Sequence, residues 1–119
     1  MEEVLDYLKH NLRDKGKEIF SVINLNCCNE IIDMEELFQG SLTSSVVYHR
    51  EVIKKDIERN AAALVFVHNH PSGDLNPSNE DINITQKLKE AASTTYVKVH
   101  DHILIAGNVY YSFADHNLI

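Results

Sequence analysis

Residues 68 to 81 read His-Asn-His-Pro-Ser-Gly-Asp-Leu-Asn-Pro-Ser-Asn-Glu-Asp, and most of the chain's capacity for chemistry lies there. Two histidines, His68 and His70, flank one residue, and a carboxylate, Asp81, returns after ten more. Residues two apart on a strand point to the same side, so both imidazoles can be offered to one ion. A loop holding Pro71, Gly73 and Pro77 can fold the Asp81 carboxylate back towards them. Two histidines and one carboxylate leave a fourth position for water, which is a catalytic zinc pattern. Zinc held in this way lowers the pKa of its bound water to about 7 and polarises a carbonyl.

The same residues carry a plainer reading. A His-x-His at a strand end also serves as a polar entry to a loop. Ser78-x-x-Asp81 is a capping box, in which the serine accepts from a helix backbone N–H and the acid reaches back. The readings are compatible, since Ser78 can cap while Asp81 ligates.

The flanking elements must hold these groups in place. Residues 62 to 67 form a continuous apolar run, the pattern of a strand at a sheet centre with both faces covered. Residues 78 to 81 open a helix with apolar positions at Ile82, Ile84 and Leu88, ending near Ser93. Upstream, Val4, Leu5, Leu8 and Leu12 give an amphipathic helix from residue 2 to about 15, with Gly16 as a stop. A strand over 19 to 25, a turn over 26 to 29 and a second, antiparallel strand over 30 to 34 follow. Residues 35 to 40 fit no single element, 41 to 48 read as a weak strand, and 49 to about 60 as a helix through Val52, Ile53 and Ile57. Three short strands close the chain, over 96 to 99, 103 to 106 and 109 to 113, with Gly107-Asn108 as a tight turn. Helices fall between strands as well as at the start, so the expectation is a layered α/β domain.

Size and composition agree. The 119 residues fit one domain, and 44% apolar with 24% charged residues is ordinary for a globular protein. The formal charge of −7, from 18 acidic and 11 basic residues, disfavours phosphate backbones. Cys27 and Cys28, the only cysteines, are adjacent and lack zinc-type spacing, which suits reduced thiols in a turn or core. No apolar run approaches a membrane span, and the start, Met-Glu-Glu-Val, lacks a basic n-region. The expectation is a cytoplasmic protein with no membrane attachment.

The motif His68-Asn69-His70-Pro71-Ser72-Gly73, completed by Pro77-Ser78-x-x-Asp81, resembles the JAMM motif of the MPN-plus metalloprotease domains. Its Asn-His-Pro-Ser-Gly segment is most similar to the bacterial RadC branch. The likeness extends to Arg50-Glu51-Val52, Asn60-Ala61-Ala62-Ala63, Asp101-His102-Ile103-Leu104-Ile105 and Tyr110-Tyr111-Ser112-Phe113, and so covers roughly the whole chain. It implies a single JAB/MPN domain over residues 1–119, with a cytidine deaminase-like mixed β-sheet flanked by helices. It also implies that His68, His70 and Asp81 are zinc ligands and that Ser78 donates to the oxyanion. The family's general acid/base is a glutamate at the entry to an early strand, and Glu18 is the position that fits. Read alone, Glu18 beside Lys17 is a solvated charge, and Glu51 and Asp74 are rivals. Glu51 sits on a helical segment near Arg50 and Lys55, and Asp74 reads as a turn residue.

His100-Asp101-His102 imitates the spacing of a ligand pair but has no third partner, and reads as structural or near the site. The leading functional expectation is a zinc metallohydrolase that cleaves a peptide or isopeptide amide in a peptide or protein substrate. Zinc-bound water, with Glu18 as general acid/base, would attack the carbonyl. One alternative is a non-enzymatic, zinc-stabilised partner-binding module. Another is an accessory role in DNA repair, which the family's customary name suggests; the acidic charge and the lack of a basic stripe with interleaved aromatics argue against nucleic acid.

Overall fold

The computed structural model of the chain describes residues 18–39 and 45–119. The helix expected over residues 2 to 15 lies outside the described residues. Five strands and two helices follow in the order β1 (Ile19–Leu25), β2 (Ile31–Gln39), α1 (Ser45–Glu58), β3 (Ala63–Asn69), α2 (Asn79–Ser93), β4 (Lys98–Ala106) and β5 (Val109–Ser112). A 3₁₀ turn, Ala114–His116, comes last.

The strands form one mixed sheet in the order β2-β1-β3-β4-β5. β3 is central, antiparallel to β1 and parallel to β4, and α2 is the crossover between the parallel pair. Such a crossover brings the end of β3, the connecting loop and the start of α2 to one edge of the sheet, where open α/β sheets form their crevices.

Strand alternation assigns the side chains to two faces. Phe20 and Val22 of β1 and Leu64 and Phe66 of β3 cluster with Val52 of α1 and with Ile84, Leu88 and Ala92 of α2. The opposite face carries Ile23, Leu25, Ala63, Val65, Val67, Ile103 and Ile105. Continuing the same alternation, His68 and His70 belong to the helix-bearing face. On α2, Asp81 shares its inward stripe with Ile84, Thr85 and Leu88, all buried. The polar groups thus extend the core cluster at its open end.

Three expectations change. The segment read as a weak strand over 41 to 48 is helical from Ser45 onwards, because α1 begins there. Its β-branched residues favour a strand only weakly, and the run continues into a helix that buries Val52. Residues 35 to 39, left without an element, extend β2, and their register with β1 runs out to Ile19↔Gln39. The strands expected over 96 to 99 and 103 to 106 merge into β4. His100 is the extra residue of a bulge there, because Leu64 pairs with Val99 but Val65 with Asp101. The bulge shifts the alternation by one, so Val99 and His102 both turn to the helix face.

Candidate metal centre

The register of β1 against β3 decides which residues meet. Phe20 lies opposite His68, so continuing the antiparallel pairing by two residues brings Glu18 beside His70. Asn69, between the two histidines, points to the opposite face and secures this arrangement. Its Oδ1 accepts the Ile19 backbone N–H at 2.6 Å, pinning the start of β1 to the end of β3. Among the described residues, Glu18, His68 and His70 each offer one ligand atom, all within 4.8 Å of one another.

Asp81 approaches from α2. The helix is capped by Ser78, whose Oγ accepts the Asp81 N–H at 3.0 Å, while Asp81 Oδ2 accepts the Ser78 N–H at 2.9 Å. This capping box orients the carboxylate. Asp81 Oδ1 stands 3.6 Å from His68 Nδ1, and Oδ2 stands 3.5 Å from His70 Nε2. Glu18 Oε2 is 3.6 Å from His68 Nε2. The loop closes on itself at Gly73, whose N–H donates to the His70 carbonyl at 3.0 Å and whose φ of 83° suits a residue without a Cβ.

These groups line a cleft of about 220 Å³ with Ser72, Asp74, Asn76 and Glu80. Among the described residues the lining contains four carboxylates, Glu18, Asp74, Glu80 and Asp81, and neither Lys nor Arg. A concave site in which carboxylates outnumber basic side chains favours cations.

Hydrogen bonding inside the cleft fits a cation as well. His68 is 2% exposed, yet neither of its ring nitrogens has a hydrogen-bond partner among the described residues. Burial, reinforced by the neighbouring His70, pushes its pKa down to about 4. It is therefore neutral at pH 7, and its approaches to Glu18 and Asp81 are not ion pairs there. A buried imidazole with no partner loses its hydration without compensation. Glu18 faces the His68 Nε2 and Asp81 its Nδ1, and the grouping of Glu18, His68 and His70 ligand atoms within 4.8 Å is one that a positive ion would compensate.

His70 leads to the same place. Its Nδ1 lies 2.7 Å from the Asp74 carbonyl, and a carbonyl can only accept, so Nδ1 carries the hydrogen. Nε2 then presents a lone pair to the Asp81 carboxylate unless a proton or a metal ion lies between them. The hydrogen bond to Asp81 outweighs burial and raises the His70 pKa. Burial pushes the Asp81 carboxyl up, but His70 and the Ser78 backbone together hold it well below the usual carboxylate range. A backbone carbonyl that fixes the tautomer of a histidine is the usual outer support of a metal ligand.

The structure brings His68, His70, Asp81, Ser78 and Glu18 to one cleft. Ser78 Oγ accepts the helix N–H and keeps its own hydrogen to donate. Of the rival acids, Asp74 lines the cleft and holds His70 through its carbonyl, whereas Glu51 lies on α1 and is not part of the lining. Cys27 and Cys28 are exposed in the β1–β2 turn. His100 Nε2 lies 2.9 Å from Asn29 Oδ1 in that same turn. Asn69 had no reading of its own from sequence, and its place between two histidines was the signal available. No helix among the described residues is long and apolar enough to cross a membrane.

Comparison with known proteins gives one family. The RadC-like JAB domain matches over residues 1–118. The chain is 44% identical over 118 residues to a UPF0758 protein of Alkaliphilus oremlandii, covering 99% of this chain and 51% of that one. It is 46% identical over 112 residues to a UPF0758 protein of Thiobacillus denitrificans, covering 94% and 50%. The UPF0758 protein YfjY of Escherichia coli is 43% identical over 114 residues, covering 96% of this chain and 71% of YfjY. The chain thus spans about half the length of the first two relatives.

Proposed function

The chain belongs to the RadC-like JAB domain family, and from that premise we propose that it is a zinc-dependent hydrolase of peptide or isopeptide amides. The observation that carries the reading is His68, a buried imidazole with two unpartnered nitrogens between the carboxylates of Glu18 and Asp81, at the floor of an open acidic cleft. His68, His70 and Asp81 would hold the ion. When bound, zinc would supply a Lewis acid and a water whose pKa falls to about 7.

The chain's own residues account for the rest. Glu18 is 35% exposed at its side chain and stands at the mouth of the cleft, so it can exchange protons with solvent. It takes a proton as the amide carbonyl is attacked and returns it to the leaving nitrogen. Ser78 has its hydroxyl hydrogen free and donates to the oxygen on which negative charge develops. Its position at a helix N-terminus adds a favourable dipole for that charge. His70 is held by the Asp74 carbonyl, so it binds without reorienting.

A Glu18→Gln protein tests the assignment. It should retain zinc, by elemental analysis, and lose hydrolysis of a peptide substrate found in a broad cleavage screen, by about 10²-fold or more. An unchanged rate would remove Glu18 from the mechanism.

A further inference from the structure

His102 is fully buried and takes no direct part in the cleft, yet it reaches the cleft through two short hydrogen bonds. Its Nδ1 lies 2.6 Å from Thr85 Oγ1. Thr85 Oγ1 in turn donates to the Asp81 backbone carbonyl at 2.7 Å. A threonine hydroxyl has one hydrogen, and a carbonyl cannot give one. Both contacts are therefore hydrogen bonds only if His102 carries its hydrogen on Nδ1. The chain of donation runs from His102 Nδ1–H to Thr85 O–H to the Asp81 carbonyl, from β4 to the first turn of α2.

Several features exist to hold this ring. The bulge at His100 turns His102 towards α2. Phe113 stacks on it at a centroid distance of 4.5 Å, and Phe20 meets it edge-on at 5.4 Å. Asp101 fastens Phe113 from behind: its carboxylate accepts from the Ser112 hydroxyl at 2.6 Å and from the Ala114 N–H at 3.0 Å. The arrangement has a cost, because His102 Nε2 is buried without a hydrogen-bond partner among the described residues.

We propose that His102 and Thr85 form a positioning clamp that fixes the Asp81 backbone, and with it the Asp81 carboxylate, against His68 and His70. Its effect on affinity rests on the reading of that cluster as a zinc site. Ligand supports of this kind are worth about 10–100-fold in metal affinity.

The test uses zinc titration against a competing chelator, thermal unfolding, and amide exchange of metal-free protein. Thr85→Val should weaken zinc binding about 10–100-fold, while Thr85→Ser, which keeps the hydroxyl, should stay within about threefold of wild type. Thr85→Ala carries the same comparison should the valine variant fail to fold. A Thr85→Val/His102→Phe double variant removes both polar partners together, so its melting temperature should recover. Its zinc affinity should not. If affinity recovers along with stability, the pair only packs and the proposal is overturned.

The Ser78 amide, bonded to Asp81 Oδ2, reports the carboxylate's position without any metal. Its exchange should quicken in Thr85→Val and not in Thr85→Ser. An indifferent Ser78 amide overturns the clamp. A wild-type protein that takes up no zinc, with a Ser78 amide that still responds, removes the metal reading and leaves the clamp standing.

Discussion

Two clusters of charge in this domain are built from similar parts and end differently. At the junction of β2 and α1, Asp33 and Glu35 face Arg59 and Lys55. Arg59 Nε lies 2.5 Å from Asp33, its other arm pairs with Glu35, and Lys55 Nζ lies 3.2 Å from Glu35. Asn24 also donates to Asp33 at 2.6 Å. Each carboxylate there meets a cation that the chain itself supplies. In the cleft, Glu18 and Asp81 meet two histidines, of which His68 is neutral at pH 7, and no Lys or Arg among the described residues lines it. The first cluster is closed and ties a helix to a strand. The second has no Lys or Arg partner among the described residues, and that contrast is what the proposed metal site rests on.

The largest effect should come from supplying or withdrawing the ion proposed for that site. With zinc at about a thousand times its dissociation constant, binding adds about 4 kcal/mol of stability, or on the order of 15 °C in melting temperature. Calorimetry with zinc and then with excess chelator checks this. Equal melting temperatures would erase the difference between the clusters.

Next in size is Asn69→Ala, which leaves the buried Ile19 N–H without its acceptor. A loss of about 1–3 kcal/mol in chemical denaturation is expected. A neutral result would mean that the start of β1, and so the place of Glu18, is set by other contacts.

Smaller still is Arg59→Met in the closed cluster. It should lower the melting temperature and leave zinc affinity unchanged, since neither Arg59 nor its partners Asp33 and Glu35 line the cleft. A weakened zinc site would show that the two clusters are coupled.

The smallest effect is in pH dependence. Burial pushes Asp33 up, but the hydrogen bonds from Asn24 and Arg59 and the charge of Arg59 bring it below its ordinary value. Its unfolded value is about 3.9. A depressed folded pKa means stability that is present above the unfolded pKa and is lost as pH falls through the folded one. Arg59→Met should therefore flatten the loss of stability below about pH 4. Because Asp33 and Arg59 are partly exposed, solvent screens this contribution. Urea titrations at stepped pH measure it, and parallel acid limbs in the two proteins would contradict it.

Much of this was legible in the sequence, for identifiable reasons. The β-branched and aromatic residues of 19 to 25 marked β1, and the histidines and Asp81 stood out by type and spacing. Ser78 and Asp81 announced the cap that the structure contains. Glu18 was named only through family likeness, because what brings it to His68 is the pairing of strands about fifty residues apart. The polar pair Asp101-His102 interrupted an apolar run and split β4 in two. Its partners Thr85, Ser112 and Ala114 lie in other elements, so the burial of those polar groups left no local trace. The start of α1 was lost to its β-branched residues, whose local preference the helix overrides.

The central claim is that the open cluster binds a divalent ion through its histidines and Asp81. Zinc titration with elemental analysis of wild-type and His70→Ala proteins tests it most directly. The account predicts one zinc ion per chain in the wild type and none retained by the variant. Metal-free wild-type protein after exposure to zinc, or equal retention by both proteins, would contradict it.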